Sequence, residues 1–323
     1  MKAIVNTGPG QLAMQDWPLP QPGAGQVRVR TGACGICATD LRMIAGWQRT
    51  AFPAIPGHEW AGTVDAVGEG VSPQLVGQRC VAENVLSDGG EVGFEHPGGY
   101  AQYLLTEARQ VQVLPADFPL SVATLIEPLA VAVRGMRRLR VEDRSNALVL
   151  GDGPIGLLML MLLRRAGVER VVMAGGRTGR LALAEELGAA ATVNYHLAGG
   201  DLAAAIRERD ARPFSSIVEA SGSQVAMQAA LGVVALCAHL LVLGDYGDGR
   251  ADFRWNHLLL RETELIGSNA SAGAWPEAVR LAVSGELPLA CLVTHRLPAE
   301  RFAEGIELTR SHAADALKVA LEW

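Results

Sequence analysis

Apolar and polar positions alternate in short segments through the first part of the chain, up to about residue 125. Residues 27–31 and 61–67 place apolar side chains at every second position, which predicts half-buried β-strands. Prolines and glycines interrupt these segments often and favour turns between them. The pattern predicts a strand-rich, barrel-like domain.

The periodicity changes after residue 125, where short apolar runs alternate with helical patterns. The predicted strands lie at 147–150, 171–174, 192–194, 216–220 and 239–243, and the predicted helices at 154–167, 178–188, 202–208 and 224–236. Repeated βα units predict an α/β fold with a doubly wound parallel sheet. The pattern becomes irregular from about 264, and residues 316–321 predict a strand that returns to the first domain. We therefore expect one domain at 1–125 and 266–323 and a second at 126–265.

Composition narrows the class of protein. Hydrophobic residues make up 49% of the 323-residue chain, charged residues 19%, and the formal net charge is -6. No basic cluster is visible, so a nucleic-acid partner is not expected. The longest apolar stretch, residues 155–163, is too short for a membrane span of about 20 residues. The five cysteines are scattered, which argues against a disulfide framework and predicts a cytoplasmic protein.

A glycine-rich turn joins the first apolar strand of the second domain to a helix. The turn contains Gly151, Gly153, Pro154, Ile155 and Gly156. Such glycines allow the tight turn, the close approach of a pyrophosphate and the packing of helix on strand. The free N–H groups of the helix N-terminus then bind the phosphates. This context predicts a Rossmann dinucleotide site.

The choice of dinucleotide depends on the residues after the second strand. An NAD site usually carries an acidic residue there, which holds the ribose 2′-OH. Here no carboxylate lies between Glu169 and Glu185, and Gly175 with its neighbouring glycine leaves room for an added phosphate. Arg177 and Arg180 are candidates to pair with that phosphate. The sequence predicts a preference for NADP(H) over NAD(H).

Metal-ligating residue types occur at two places in the first domain. Cys37 precedes Thr39, and His58-Glu59 follow 21 residues after Cys37. A catalytic zinc ion takes three protein ligands of cysteine, histidine or carboxylate type and keeps one position open. Cys37 and His58 would supply sulfur and nitrogen, and either Glu59 or Glu127 would supply oxygen.

Several sequence motifs surrounding these residues resemble those of the zinc-containing medium-chain dehydrogenase family. They are Gly-Ile-Cys-Ala-Thr-Asp (35–40), Pro-Gly-His-Glu-Trp-Ala-Gly-Thr-Val (56–64), Gly-Gly-Tyr-Ala (98–101), Leu-Ile-Glu-Pro-Leu-Ala (125–130), the glycine-rich turn at 151–156, which we call the coenzyme turn, and Val-Glu-Ala-Ser-Gly (218–222). The Ile-Glu-Pro-Leu motif is especially similar to that of the sorbitol and threonine dehydrogenase branch of the family. The resemblance covers nearly the whole chain and implies a GroES-like catalytic domain beside the Rossmann domain.

This resemblance implies roles for individual residues. Cys37 and His58 would be zinc ligands, Glu59 a ligand or a close carboxylate, and Glu127 an alternative or water-mediated carboxylate. Thr39 would hydrogen-bond the substrate hydroxyl and pass its proton outward. The implied reaction transfers a hydride between a secondary alcohol or polyol, or its ketone, and the nicotinamide. A homodimer or homotetramer is implied as well.

The chain departs from the family pattern in ways that leave alternatives open. No cysteine lies between Glu83 and Tyr100, so the structural zinc lobe is shortened and one catalytic zinc per chain is expected. Arg42 stands where a relay histidine is common, and arginine does not exchange protons at neutral pH. A zinc-free enoyl or quinone reductase and a non-catalytic NADPH-binding protein are the alternative interpretations.

Overall fold

The computed structural model describes residues 1–250 and 252–323, which form two compact units. The first unit comprises Met1–Pro128 and Trp275–Trp323, and the second comprises Leu129–Ala274. The domain limits expected from the sequence, 1–125 with 266–323 and 126–265, remain a prediction. No helix among the described residues is long and apolar enough to cross a membrane.

Strands dominate the first unit. Its N-terminal segment contains β1 (Lys2–Gly8), β2 (Gln11–Asp16), β3 (Gln26–Gly35), α1 (Ala38–Ile44), β4 (Glu59–Val67), β5 (Arg79–Ala82), β6 (Tyr103–Glu107), β7 (Val111–Val113), α2 (Leu120–Ala123) and the start of α3 (Ile126–Leu139). The predicted segments 27–31 and 61–67 lie within β3 and β4, so these strands are confirmed. They pair antiparallel, and Gly35 at the end of β3 is opposite Glu59 at the start of β4.

Strands and helices alternate in the second unit. The elements are β8 (Asn146–Leu150), α4 (Pro154–Arg165), β9 (Arg170–Gly175), α5 (Thr178–Glu186), β10 (Ala191–Asn194), α6 (Leu202–Arg209), β11 (Phe214–Glu219), α7 (Gln224–Val233), β12 (Val234–Val242), α8 (Asn256–Arg261) and β13 (Glu264–Gly267). The strands form a parallel six-stranded sheet in the order β10-β9-β8-β11-β12-β13. The predicted doubly wound sheet is therefore confirmed.

One boundary differs from the sequence prediction. The helix expected over 224–236 ends at Val233, and the strand expected over 239–243 begins at Val234. Val234 is buried and pairs with Phe214 of β11. Strand pairing and burial at this position therefore outweigh the helical periodicity of the sequence. The register of this pair then shifts before Ser216 meets His239.

The chain returns to the first unit through its last elements. These are α9 (Trp275–Ser284), β14 (Val293–Pro298), α10 (Phe302–Ser311) and β15 (Lys318–Glu322). β15 pairs antiparallel with β3 and parallel with β14, in a sheet of order β14-β15-β3-β4-β5-β7. β6 pairs antiparallel with the first half of β3, at residues 26–30. The predicted C-terminal strand is confirmed, and its pairing brings Lys318 to the end of β3.

Candidate metal centre and coenzyme loop

Three metal-ligating side chains meet where β3 ends and β4 begins. Cys37 caps the N-terminus of α1 just after β3, and His58 and Glu59 lie at the start of the neighbouring antiparallel strand. One donor atom from each residue lies within 4.8 Å of the other two. The described residues contain no other cluster of this kind. A thiol, an imidazole and a carboxylate match the donor set of a catalytic zinc site.

Asp40 orients two of these residues from within the core. Its Oδ2 accepts hydrogen bonds from the Cys37 backbone N–H at 2.8 Å and from the Tyr100 hydroxyl at 3.3 Å. Its Oδ1 lies 3.2 Å from His58 Nδ1, an ion-pair contact without good hydrogen-bond alignment. A carboxylate at Nδ1 fixes the imidazole and leaves Nε2 as the donor to a metal. Burial disfavours the imidazolium, but Asp40 and Cys37 hold the pKa of His58 well above its ordinary value.

Glu59 is joined to a residue that the sequence did not indicate. Lys318 Nζ donates to both carboxylate oxygens of Glu59, at 2.7 and 2.6 Å, and lies 3.3 Å from the backbone oxygen of Ile36. The Lys318 and Glu59 side chains are only 3% and 2% exposed. Burial would lower the pKa of Lys318, but the charges of Glu59 and Cys37 raise it. The sequence offered one signal for this contact, because Lys318 is the single charged residue in the apolar run 316–321.

The shortened lobe contacts the cluster through an aromatic ring. The Phe94 ring lies 4.9 Å from the His58 ring between centroids. The guanidinium of Arg49 covers Phe94 at 4.3 Å, and it pairs with Glu95 at 2.5 Å and Glu91 at 2.8 Å. Neither Arg49 nor Phe94 was singled out from the sequence, because no motif marks a contact between loops. Ion pairs therefore hold a lobe that contains no cysteine.

The remaining predicted residues of this unit differ in their relation to the cluster. Cys37 Sγ donates to Thr39 Oγ1 at 3.7 Å, so Thr39 adjoins the cluster. Glu127 is not part of the three-residue group, although burial raises the pKa of its carboxyl to about 7, with His58 opposing and Glu59 reinforcing the rise. Arg42 lies over the Trp47 ring at 5.4 Å.

Cys34 differs from Cys37 in its surroundings. It is fully buried, and burial raises the pKa of its thiol well above the ordinary value. It pairs with Trp60 inside the β3–β4 sheet and belongs to the hydrophobic core of the unit. Cys34 is therefore a small apolar core residue.

The glycine-rich turn lies between β8 and α4, as expected. Gly153 caps α4, Pro154 is its first residue and Ile155 comes next in the first turn. A Cβ atom on Gly156 would lie 1.8 Å from the backbone oxygen of Gly151, so only glycine fits there. The turn therefore has the strand–glycine–helix geometry that presents backbone N–H groups to a pyrophosphate.

The end of β9 contains an acidic contact that the sequence did not indicate. Asp152 Oδ2 accepts hydrogen bonds from the backbone N–H groups of Gly176, at 2.9 Å, and Arg177, at 2.7 Å. Arg177 is exposed, but Arg180 is only 6% exposed. The expectation that Arg177 and Arg180 pair with a coenzyme phosphate stays a prediction.

Known protein families match both the strand-rich part and the Rossmann part of the chain. Residues 23–116 match the alcohol dehydrogenase GroES-like domain, and residues 154–284 match the zinc-binding dehydrogenase domain. D-altritol 5-dehydrogenase from Agrobacterium fabrum is 31% identical over 92% of this chain and 93% of that protein. L-threonine 3-dehydrogenase from Chelativorans sp. is 30% identical over 100% and 99%. The crystal structure of RspB from E. coli CFT073 with NADH has a TM-score of 0.92 at 25% identity, over 100% and 99% of the two chains.

The fold and the cluster thus define a dehydrogenase with a GroES-like unit and a Rossmann unit. The chain belongs to the zinc-binding medium-chain dehydrogenase family. The predicted family, fold class and nicotinamide-dependent oxidoreductase function are confirmed at this level. The relatives act on small molecules, and the predicted small-molecule substrate agrees with them.

Proposed function

We propose that the protein is a zinc-dependent dehydrogenase that oxidises a secondary alcohol, in particular a polyol or sugar alcohol, with a nicotinamide coenzyme. The observation that carries the proposal is the Cys37–His58–Glu59 cluster, which lies in a chain that also has the coenzyme turn. The polyol class rests on the 31% identity to D-altritol 5-dehydrogenase over nearly all of both chains.

Cys37, His58 and Glu59 would hold one zinc ion per chain. The contact of Asp40 with Nδ1 of His58 supports this role, because it leaves Nε2 available. Glu59 lies in the cluster but shares both oxygens with Lys318, whereas Glu127 lies outside it. We favour Glu59 as the third ligand, with Glu127 as a nearby carboxylate. A bound zinc ion would act as a Lewis acid that makes the substrate hydroxyl more acidic.

Thr39 would receive the proton of the substrate hydroxyl. Its Oγ1 lies beside the sulfur of Cys37 and can both accept and donate a hydrogen bond. Arg42 is held over the Trp47 ring and does not release protons at neutral pH. The proton would therefore leave Thr39 by a route other than Arg42.

The coenzyme would bind the turn at Gly151–Gly156 through its pyrophosphate. The preference for NADP(H) predicted from the sequence stays a prediction. A homodimer or homotetramer in the cytoplasm is part of the proposal. None of the five cysteines forms a disulfide, which fits a reducing compartment.

Zinc content and turnover of cysteine variants test the proposal. We expect Cys37→Ala to lose both its zinc and its oxidation of polyols, measured by elemental analysis and by absorbance of the reduced nicotinamide. Cys34→Ala is the matched control, because it removes a neighbouring thiol from the core, and it should keep its zinc. Turnover by a zinc-free wild-type protein would instead support the reductase alternative. Coenzyme binding without turnover on alcohols and ketones would support the non-catalytic alternative.

A further inference from the structure

The residue between the first two glycines of the coenzyme turn has an unusual position. Asp152 extends from the turn to the end of the adjacent strand β9, where its Oδ2 accepts two backbone hydrogen bonds, from Gly176 and Arg177. Among the described residues, the side-chain hydrogen bonds of Asp152 are made by Oδ2 and not by Oδ1. One carboxylate oxygen therefore fixes the side chain, and the other is available to a ligand.

The end of β9 is where a Rossmann domain usually carries the acidic residue that holds the ribose 2′-OH. Gly175 occupies that end here and has no side chain. A Cβ atom on Gly175 would lie 2.5 Å from Cβ and Cγ of Asp152 and 2.6 Å from its Oδ2. The Asp152 carboxylate therefore fills the space in which a side chain of residue 175 would begin.

We propose that Asp152 is the carboxylate that recognises the adenosine ribose hydroxyls, and that it makes this protein select NAD(H) over NADP(H). The inference rests on the proposed coenzyme-binding function and names the residue that determines its specificity. It reverses the preference predicted from the sequence, because the missing acid is supplied by the turn instead of by the strand.

Charge and hydrogen bonding both support this selection. An ionised carboxylate accepts hydrogen bonds from ribose hydroxyls but repels the charge of a 2′-phosphate. The backbone N–H groups of Gly176 and Arg177, which would otherwise be free to bind such a phosphate, already donate to Asp152. Exposed Arg177 is a cation that opposes this effect.

Dissociation constants for NADH and NADPH test the inference, measured by coenzyme fluorescence on the full zinc-replete protein. We expect the wild type to bind NADH more tightly, by about tenfold or more, the worth of a hydrogen bond to a charged group. Asp152→Asn keeps an oxygen that can accept from both N–H groups, so the turn should hold. Its NADPH-to-NADH ratio of dissociation constants should fall by about tenfold or more. Glu186→Gln, an exposed residue of α5, is the charge-matched control and should leave the ratio unchanged.

Two other results would overturn the inference. Tighter binding of NADPH by the wild type, lost in Arg177→Ala, would show that the arginine and not Asp152 determines selectivity. An unchanged ratio in Asp152→Asn would reduce Asp152 to a structural contact of the turn. Both results leave coenzyme binding intact. If the proposed function were wrong, neither coenzyme would bind, and the inference would fail with it.

Discussion

The two units form their polar sites from different chemical groups. The GroES-like unit buries ionisable side chains against one another, and Asp40, His58, Glu59 and Lys318 are all buried. The Rossmann unit uses backbone N–H groups at a glycine turn, together with the carboxylate of Asp152. A site of buried charges is sensitive to the loss of one partner, since an unpaired buried ion is costly. A site of backbone groups is sensitive to added atoms, which displace the chain.

Removal of one buried charge is the most severe way to test this difference. Lys318→Met should lower the free energy of unfolding by about 3–5 kcal/mol, because it leaves the Glu59 carboxylate buried and unpaired. Urea denaturation in the presence of a chelator measures the change without a contribution from metal. The double variant Glu59→Gln/Lys318→Met removes both charges and should recover most of the loss. A single variant no less stable than the double variant would contradict this account.

Addition of one methyl group is the corresponding test of the backbone site. Gly156→Ala should lower the free energy of unfolding by about 1–3 kcal/mol, because the new Cβ overlaps the Gly151 oxygen. Gly153→Ala is the control, since a Cβ there meets no atom within 4 Å. Thermal unfolding without coenzyme compares the two. Equal stabilities would show that the turn tolerates the overlap by shifting.

The smallest expected effect concerns charges that are not fully buried. The Arg49 guanidinium lowers the pKa of Glu95 from 4.5 to about 2. A lowered carboxyl pKa stabilises the fold above the unfolded value of 4.5, and this contribution is lost as pH falls through about 2. The Arg49 and Glu95 side chains are 32% and 40% exposed, so solvent screening limits the contribution to about 1 kcal/mol or less.

Unfolding of Glu95→Gln and wild type between pH 6 and pH 2 measures this contribution. The difference in stability should be constant at higher pH and shrink as the pH falls below about 4.5. Glu307→Gln removes one partner of a more exposed ion pair with Arg310 and is the matched control, with a smaller difference at pH 6. A Glu95→Gln difference that does not change with pH would contradict the lowered pKa.

Sequence reasoning succeeded where the determinants are local. The turn at Gly151–Gly156 and the meeting of Cys37 with His58 could be predicted, because each rests on short motifs, whereas the third ligand was left open between Glu59 and Glu127. It did not identify Lys318, which contacts Glu59 across 259 residues of chain. It also missed the contact of Asp152 with the end of β9, since a spacing rule locates an acid along the chain and not in space.

The position of Lys318 on β15 has a consequence for synthesis of the protein. Glu59 leaves the ribosome 259 residues before Lys318. At translation rates of about 5–20 residues per second, this interval lasts on the order of ten to fifty seconds. Until the lysine arrives, the nascent chain must keep Glu59 hydrated, protonated or bound to metal. Zinc delivered during translation would therefore meet a glutamate with both oxygens free, whereas zinc delivered afterwards must compete with the ammonium group.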